Sequence, residues 1–242
     1  MATAISVQLR FSDGSFGSLV NSSVTENTQT EIQTGGTGLA QASGVSVGQA
    51  YVGKVCTHAS VKVITENANT GCFCYAYFQA PNGSVASIVQ GGGDHASAVA
   101  PLLKPIRMST GMSFQARFDA QADGATQQAS LGLYCSDGTC EVLTVAGVDA
   151  TKTAMVNKDG NTIGQALSGK TVVAAYATFS SQFGMNDSDD GVSSFYVESA
   201  DGQLKAMWPP ARGNISTHLV PYIRYPVRID QNDTCSVLAD VA

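Results

Sequence analysis

Two apolar, β-prone runs meet at Asp137-Gly138 in Leu131-Gly-Leu-Tyr-Cys135-Ser-Asp-Gly-Thr-Cys140-Glu-Val-Leu-Thr-Val145. Asp-Gly between such runs is a strong hairpin signal, because a two-residue type I′ turn needs positive φ at both central residues. That turn would set Ser136 opposite Thr139 and Cys135 opposite Cys140. The same pattern recurs along the chain. Ile5, Val7, Leu9 and Phe11 alternate with polar residues, as do Met112, Phe114, Ala116 and Phe118. In Cys72-Phe-Cys-Tyr-Ala-Tyr-Phe78, Cys72, Cys74, Ala76 and Phe78 share a face, and Phe73, Tyr75 and Tyr77 share the other. Turns are expected at Ser12–Ser15, Ala80–Ser84, Asp123-Gly124 and Asp201-Gly202. The spacing predicts about fourteen short strands. One short helix is expected over Asp94–Leu103, capped by Asp94 and ended by Pro101 and Pro105. No strand alternates with a long helix, which argues against parallel α/β folds. The expectation is an all-β chain: an antiparallel β-sandwich, jelly-roll-like, with at most one short helix.

No internal repeat or composition break stands out, so the sequence predicts a single domain over 1–242. Residues 21–44 are rich in Thr, Asn, Gln and Gly and end in Gly35-Gly-Thr-Gly38. They read as an extended arm or a long loop.

Charge narrows the function classes. Charged residues make up 13% of the chain, about half the usual share, and the net charge is −6. A surface so poor in charge fits one covered by neighbouring subunits, since interface cores are depleted in charge. Lys and Arg are scattered, without the clusters that phosphate backbones or anionic bilayers need. No apolar run is long enough to span a bilayer, and the start of the chain has no secretory pattern. Six cysteines in a long chain without a secretory pattern are expected mostly as buried small hydrophobes.

The motifs that suggest chemistry are few. Gly164-Gln-Ala-Leu-Ser-Gly169-Lys170-Thr171 fits the Walker A pattern, which needs a strand before the loop and a helix after it. Here a polar turn precedes it and a β-prone run follows, so the nucleotide reading is disfavoured. Cys135 and Cys140 are a candidate cross-strand disulfide, with free thiols, or a zinc site shared with Cys72 and Cys74, as the other readings. Asp94-His95-Ala-Ser97 lacks the spatial convergence a catalytic triad needs and reads as a helix cap beside a surface histidine. Asn186-Asp-Ser-Asp-Asp190-Gly191 is a solvated acidic loop, with a structural calcium as the alternative. N-x-[ST] sequons at Asn21, Asn82, Asn186, Asn214 and Asn232 are explained by composition. Trp208, Arg212, Tyr222, Arg224, Tyr225 and Arg228 form the densest aromatic–arginine stretch and are the candidate interface, because these residue types dominate contact hot spots. No catalytic, cofactor-binding or metal-binding residue is assigned.

In style the whole chain resembles virion structural proteins, the capsid and capsid-decorating proteins of phages and other DNA viruses. The resemblance rests on the Met-Ala start, the polar arm at 21–44, short strands such as Met112-Ser-Phe-Gln-Ala-Arg-Phe118, and Gly/Ala/Ser-rich loops. It implies a jelly-roll-like sandwich that assembles with copies of itself and other virion proteins in the host cytoplasm. It implies no enzyme activity, no cofactor, no direct nucleic-acid contact and no membrane insertion. The alternative is a ligand-binding sandwich for carbohydrate or host-surface attachment, using Tyr75, Tyr77 and Trp208 as exposed aromatics.

Overall fold

The computed structural model describes residues 4–22, 24–25, 28–34, 44–64, 72–89, 100–120, 127–148, 151–180, 192–212, 216–220 and 226–240. The chain divides into two compact units, Met1–Ala120 and Gln121–Ala242, where the sequence reading expects one domain. Each unit has its own apolar core.

The first unit contains β1 (Ala4–Phe11), β2 (Phe16–Asn21), β3 (Thr30–Glu31), α1 (Val47–Ala50), β4 (Val55–Ile64), β5 (Cys72–Gln79), β6 (Val85–Val89), β7 (Ala100–Arg107) and β8 (Ser113–Ala120). One sheet runs β2-β1-β4-β7. The other runs β6-β5-β8-β3, and every pairing is antiparallel. The strands form because their apolar residues alternate. On β1, Ile5, Val7, Leu9 and Phe11 are buried in the core while Gln8 and Arg10 are exposed.

The second unit contains β9 (Gln127–Cys135), β10 (Cys140–Val148), β11 (Thr153–Ala154), α2 (Ile163–Leu167), β12 (Thr171–Ser180), β13 (Val192–Glu198), β14 (Leu204–Arg212), β15 (Ser216–Val220), β16 (Val227–Arg228) and β17 (Thr234–Asp240). Its first sheet pairs β10 with β9, β9 with β12, and β12 with both β15 and β16. Its second runs β14-β13-β17-β11.

The two units have one strand plan, with β15 and β16 together in the place of β7. The match extends to single hydrogen bonds. Gly48 donates to the Met112 carbonyl at 3.0 Å, and Gly164 to that of Asp233 at 3.1 Å. Gly53 donates to Met108 at 2.9 Å, and Gly169 to Ile229 at 2.8 Å. These positions align Ser46-Val-Gly-Gln-Ala-Tyr-Val-Gly-Lys54 with Thr162-Ile-Gly-Gln-Ala-Leu-Ser-Gly-Lys170. Gly, Gln, Ala, Gly and Lys coincide. The chain is therefore a tandem repeat, which the sequence reading does not find because the strands keep only their apolar alternation.

Three local expectations change. The opening hairpin is not closed by a two-residue turn. Cys135 donates to the Thr139 carbonyl at 2.8 Å, Gly138 donates to that of Cys135 at 2.9 Å, and Gly138 has φ +84°. A four-residue turn followed by a left-handed glycine places the extra residue in the loop, so Cys140 faces Tyr134 rather than Cys135. The same hydrogen-bond pattern closes Phe11–Ser15, Ala80–Ser84 and Ser199–Gln203. Second, part of the expected arm belongs to its own unit: Ile32 is buried and donates to Phe114, and Gln33 bridges to Val20. Residues 35–43 lie outside the described residues. Third, among the described residues the short helices are α1 and α2. Residues 100–103 are in β7, and residues 94–99 are not described.

Candidate functional site

The Walker-like loop is the most specific chemical signal in the sequence, and its geometry shows what it does. α2 sits inside the pattern and β12 follows it, the reverse of a phosphate-binding loop. Thr162 caps α2, with the Gln165 side chain reaching back to complete a capping box. A phosphate cradle needs free backbone N–H groups. Here Gly164, Ala166, Gly169 and Lys170 donate to the carbonyls of Asp233, Thr162, Ile229 and Leu167 at 2.8–3.1 Å. The Lys170 ammonium lies 2.6 Å from the Asp137 carboxylate. That hydrogen bond holds the Asp137 carboxyl well below its ordinary value and raises the Lys170 ammonium. A Cβ on Gly164 would fall 2.5 Å from the Gln231 carbonyl and 2.7 Å from that of Asp230. Glycine is there for the backbone turn at 230–233, not for a ligand.

The first unit builds the same corner. A Cβ on Gly48 would meet the Ser109 carbonyl at 2.3 Å, and Lys54 pairs with Asp13 at 3.0 Å. The motif is thus a fold element that occurs twice: α1 or α2 locked under a turn, with a lysine tied to the Asp-Gly hairpin.

The second unit adds an ion cluster that sequence spacing does not reveal. Lys205 Nζ contacts Asp230 at 2.8 Å and Asp233 at 2.5 Å. Asp233 is almost fully buried, and its carboxylate also accepts from the Asp230 backbone amide at 2.8 Å. Burial opposes the charge on Lys205, but the two carboxylates outweigh it and raise its pKa. The carboxylates are neutralised by a lysine, and among the described residues no group of three or more metal-ligating side chains occurs.

The candidate disulfide is not formed. No disulfide is formed at Cys135, Cys140, Cys56 or Cys235. Tyr134, the neighbour of Cys135, is the strand position that faces Cys140, so the two thiols point to opposite sides of the sheet. Burial pushes the Cys135 thiol up to about 11, and those of Cys56 and Cys235 up to about 12. Only the backbones of Cys72 and Cys74 are described, on β5.

Of the six candidate interface residues, only Trp208 and Arg228 have described side chains. Trp208 is only 2% exposed and sits in the core of the second unit. Arg212 ends β14, with its side chain outside the described residues, as are Tyr222, Arg224 and Tyr225 altogether. Arg228 is exposed on β16, 4.0 Å from Asp230. The aromatic platform of the ligand-binding reading is also lost, because Tyr75, Tyr77 and Trp208 are all buried. Residues 186–191 and the Asp94–Ser97 stretch lie outside the described residues.

The exposed large apolar residues lie elsewhere: Phe16, Val45 and Val52 in the first unit, and Leu204 and Met207 in the second. Phe16 is 73% exposed and is overlaid by the Arg10 guanidinium, 6.0 Å from the ring centre. Met207 is 57% exposed and faces Tyr196, whose ring is overlaid by Lys152 Nζ at 4.8 Å. No family model, curated protein or solved structure matches this chain.

Proposed function

We propose that the protein is a virion structural protein, assembled in the host cytoplasm, that builds or decorates a capsid shell through subunit contacts. The observation that carries this reading is that one chain holds two copies of the same β-unit. A chain with two such units can engage a partner through each, and that valence is what an extended assembly requires. The strand plan supports the jelly-roll part of the reading. In the first unit, β1·β2, β3·β8, β4·β7 and β5·β6 are hydrogen-bonded pairs. Rolling that ribbon adds β1·β4 and β5·β8 and leaves two four-stranded sheets. This is how a double Greek key is wound, with the closing strand β1 moved to the start. The low charge of the chain is the second support, since subunit contacts disfavour charge.

The test is particle size by mass photometry and negative-stain microscopy over a wide concentration range, alone and with isolated shells. Ordered oligomers or occupancy on shells are expected. A monodisperse monomer that ignores shells at every concentration would remove the proposal.

A further inference from the structure

The last strand of a sheet carries unpaired N–H and C=O groups on its outer side, a ready template for another strand. Among the described residues of the first unit, β2 is such a strand, at the end of the order β2-β1-β4-β7. Val20 shows which of its residues turn outward, because its N–H goes to the Gln33 carbonyl at 2.8 Å. Backbone groups alternate along an antiparallel strand, so those of Ser18 turn outward too. Ser18 is exposed, yet both of its backbone groups are taken. The Tyr51 hydroxyl accepts from the Ser18 N–H at 3.1 Å and donates to the Ser18 carbonyl at 3.3 Å. One phenol thus makes the two bonds that a facing residue of an added strand would make. Its ring follows α1 directly and lies 4.9 Å from the ring of buried Phe11. A Cβ on Gly17 would fall 2.6 Å from Tyr51 Cζ, so glycine there leaves room for the ring.

The second unit reaches the same end with different residues. Strand register aligns Gly17 and Ser18 with Glu141 and Val142, and the repeated corner aligns Tyr51 with Leu167. Leu167 has no hydroxyl, and position 141 is no longer glycine. Instead the Glu141 carboxylate accepts from the Val142 N–H at 2.9 Å, and its other oxygen accepts from Asn157 Nδ2 at 3.1 Å. The glycine and the tyrosine are replaced together, and the N–H keeps a side-chain oxygen. We propose that Tyr51 is a plug on the outer edge of β2: its hydroxyl occupies the sites at Ser18 that strand addition needs, and so keeps β2 the end of its sheet. Strand addition gains its affinity from main-chain hydrogen bonds, so a side chain that already holds them blocks it. The plug goes beyond the self-assembly reading and does not depend on it, since its effect is read against the wild type.

The test uses full-length Tyr51→Phe, which keeps the ring and loses the hydroxyl. Leu167 in the second unit shows that this corner folds without a hydroxyl, so the circular dichroism spectrum is expected to match the wild type. Exchange of the Ser18 amide, followed by NMR, is expected to be about tenfold faster, the order of one lost hydrogen bond. In a pure sample the only strand that can add is one from another copy. Sedimentation velocity is therefore expected to show species larger than any the wild type forms at the same concentration. Tyr51→Leu should behave alike, and adding Gly17→Glu to it carries the second unit's cap into the first and should restore the wild-type distribution. A Tyr51→Phe chain with the wild-type size distribution would overturn the proposal, whatever its exchange rate. Larger species that persist in the Gly17→Glu/Tyr51→Leu chain would overturn it as well, because association would then not run through the edge at Ser18.

Discussion

At the scale of residues, glycine marks the corners, for two different reasons. Gly169 has φ +77° and nothing within 4 Å of where a Cβ would sit, so Gly169→Ala costs only backbone strain, about 1 kcal/mol. Gly164 has backbone carbonyls on two sides of its missing Cβ, and neither can withdraw without opening the turn at 230–233. Gly164→Ala is expected to cost about 3 kcal/mol by overpacking. In thermal melts of the second unit this is on the order of 10 °C, against a few degrees for Gly169→Ala. Equal shifts would show that close approach is not why glycine stands at 164. The thiols allow a second prediction. Cys56, Cys135 and Cys235 are buried with raised pKa values, and a thiol reacts as the thiolate. Alkylation at pH 8 with peptide mapping should leave these three and buried Cys140 unlabelled until the chain is unfolded, and reductant should not change their pattern. Labelling of native Cys135 would contradict the core placement.

At the scale of elements, the Asp-Gly hairpin and the start of the neighbouring strand of the same sheet are tied by one ion pair in each unit, Asp13–Lys54 and Asp137–Lys170. The Asp137 carboxyl is depressed in the folded state, chiefly by its hydrogen bond from Lys170. Its contribution is therefore complete above the ordinary carboxyl value of 3.8 and is lost as pH falls below that toward the folded-state value. Both side chains are substantially exposed, so the effect is small and screened by salt. Asp137→Asn is expected to flatten the acid limb of the melting curve of the second unit in low salt and to change little in high salt. A variant whose acid limb matches the wild type would show that the pair is ornamental. The Walker-like loop belongs to this scale too. With its amides bonded to carbonyls, Mg·ATP should not raise the melting temperature, whereas a nucleotide bound only by the native state would.

At the scale of the molecule, two cores predict two reporters. Trp208 is the chain's single tryptophan and lies in the second core. Its fluorescence therefore follows the second unit, while circular dichroism follows both. Gly48→Ala should shift the circular dichroism transition and leave the tryptophan transition in place, and Gly164→Ala should shift the latter. If both variants move both signals equally, the units unfold as one cooperative body.

What the sequence determined by itself was local. Alternation at Ile5–Phe11 and Met112–Phe118, with turn residues between runs, suffices for an antiparallel all-β chain, because side chains in a strand alternate sides whatever lies beyond them. Register was not legible at Cys135–Cys140. A single left-handed glycine shifts the loop by one residue, and that sets the two thiols on opposite faces of the sheet. The burial of Trp208 was not legible for a related reason. Trp208 is as fit for a core as for an interface, and periodicity cannot say which face of a strand is covered. The repeat was hidden because the strands of the two units share apolar alternation rather than identity, leaving only the corner at 46–54 and 162–170 as a trace. Tertiary structure decided that the glycines of this corner hold a turn instead of a phosphate, since only packing brings residues 230–233 against Gly164.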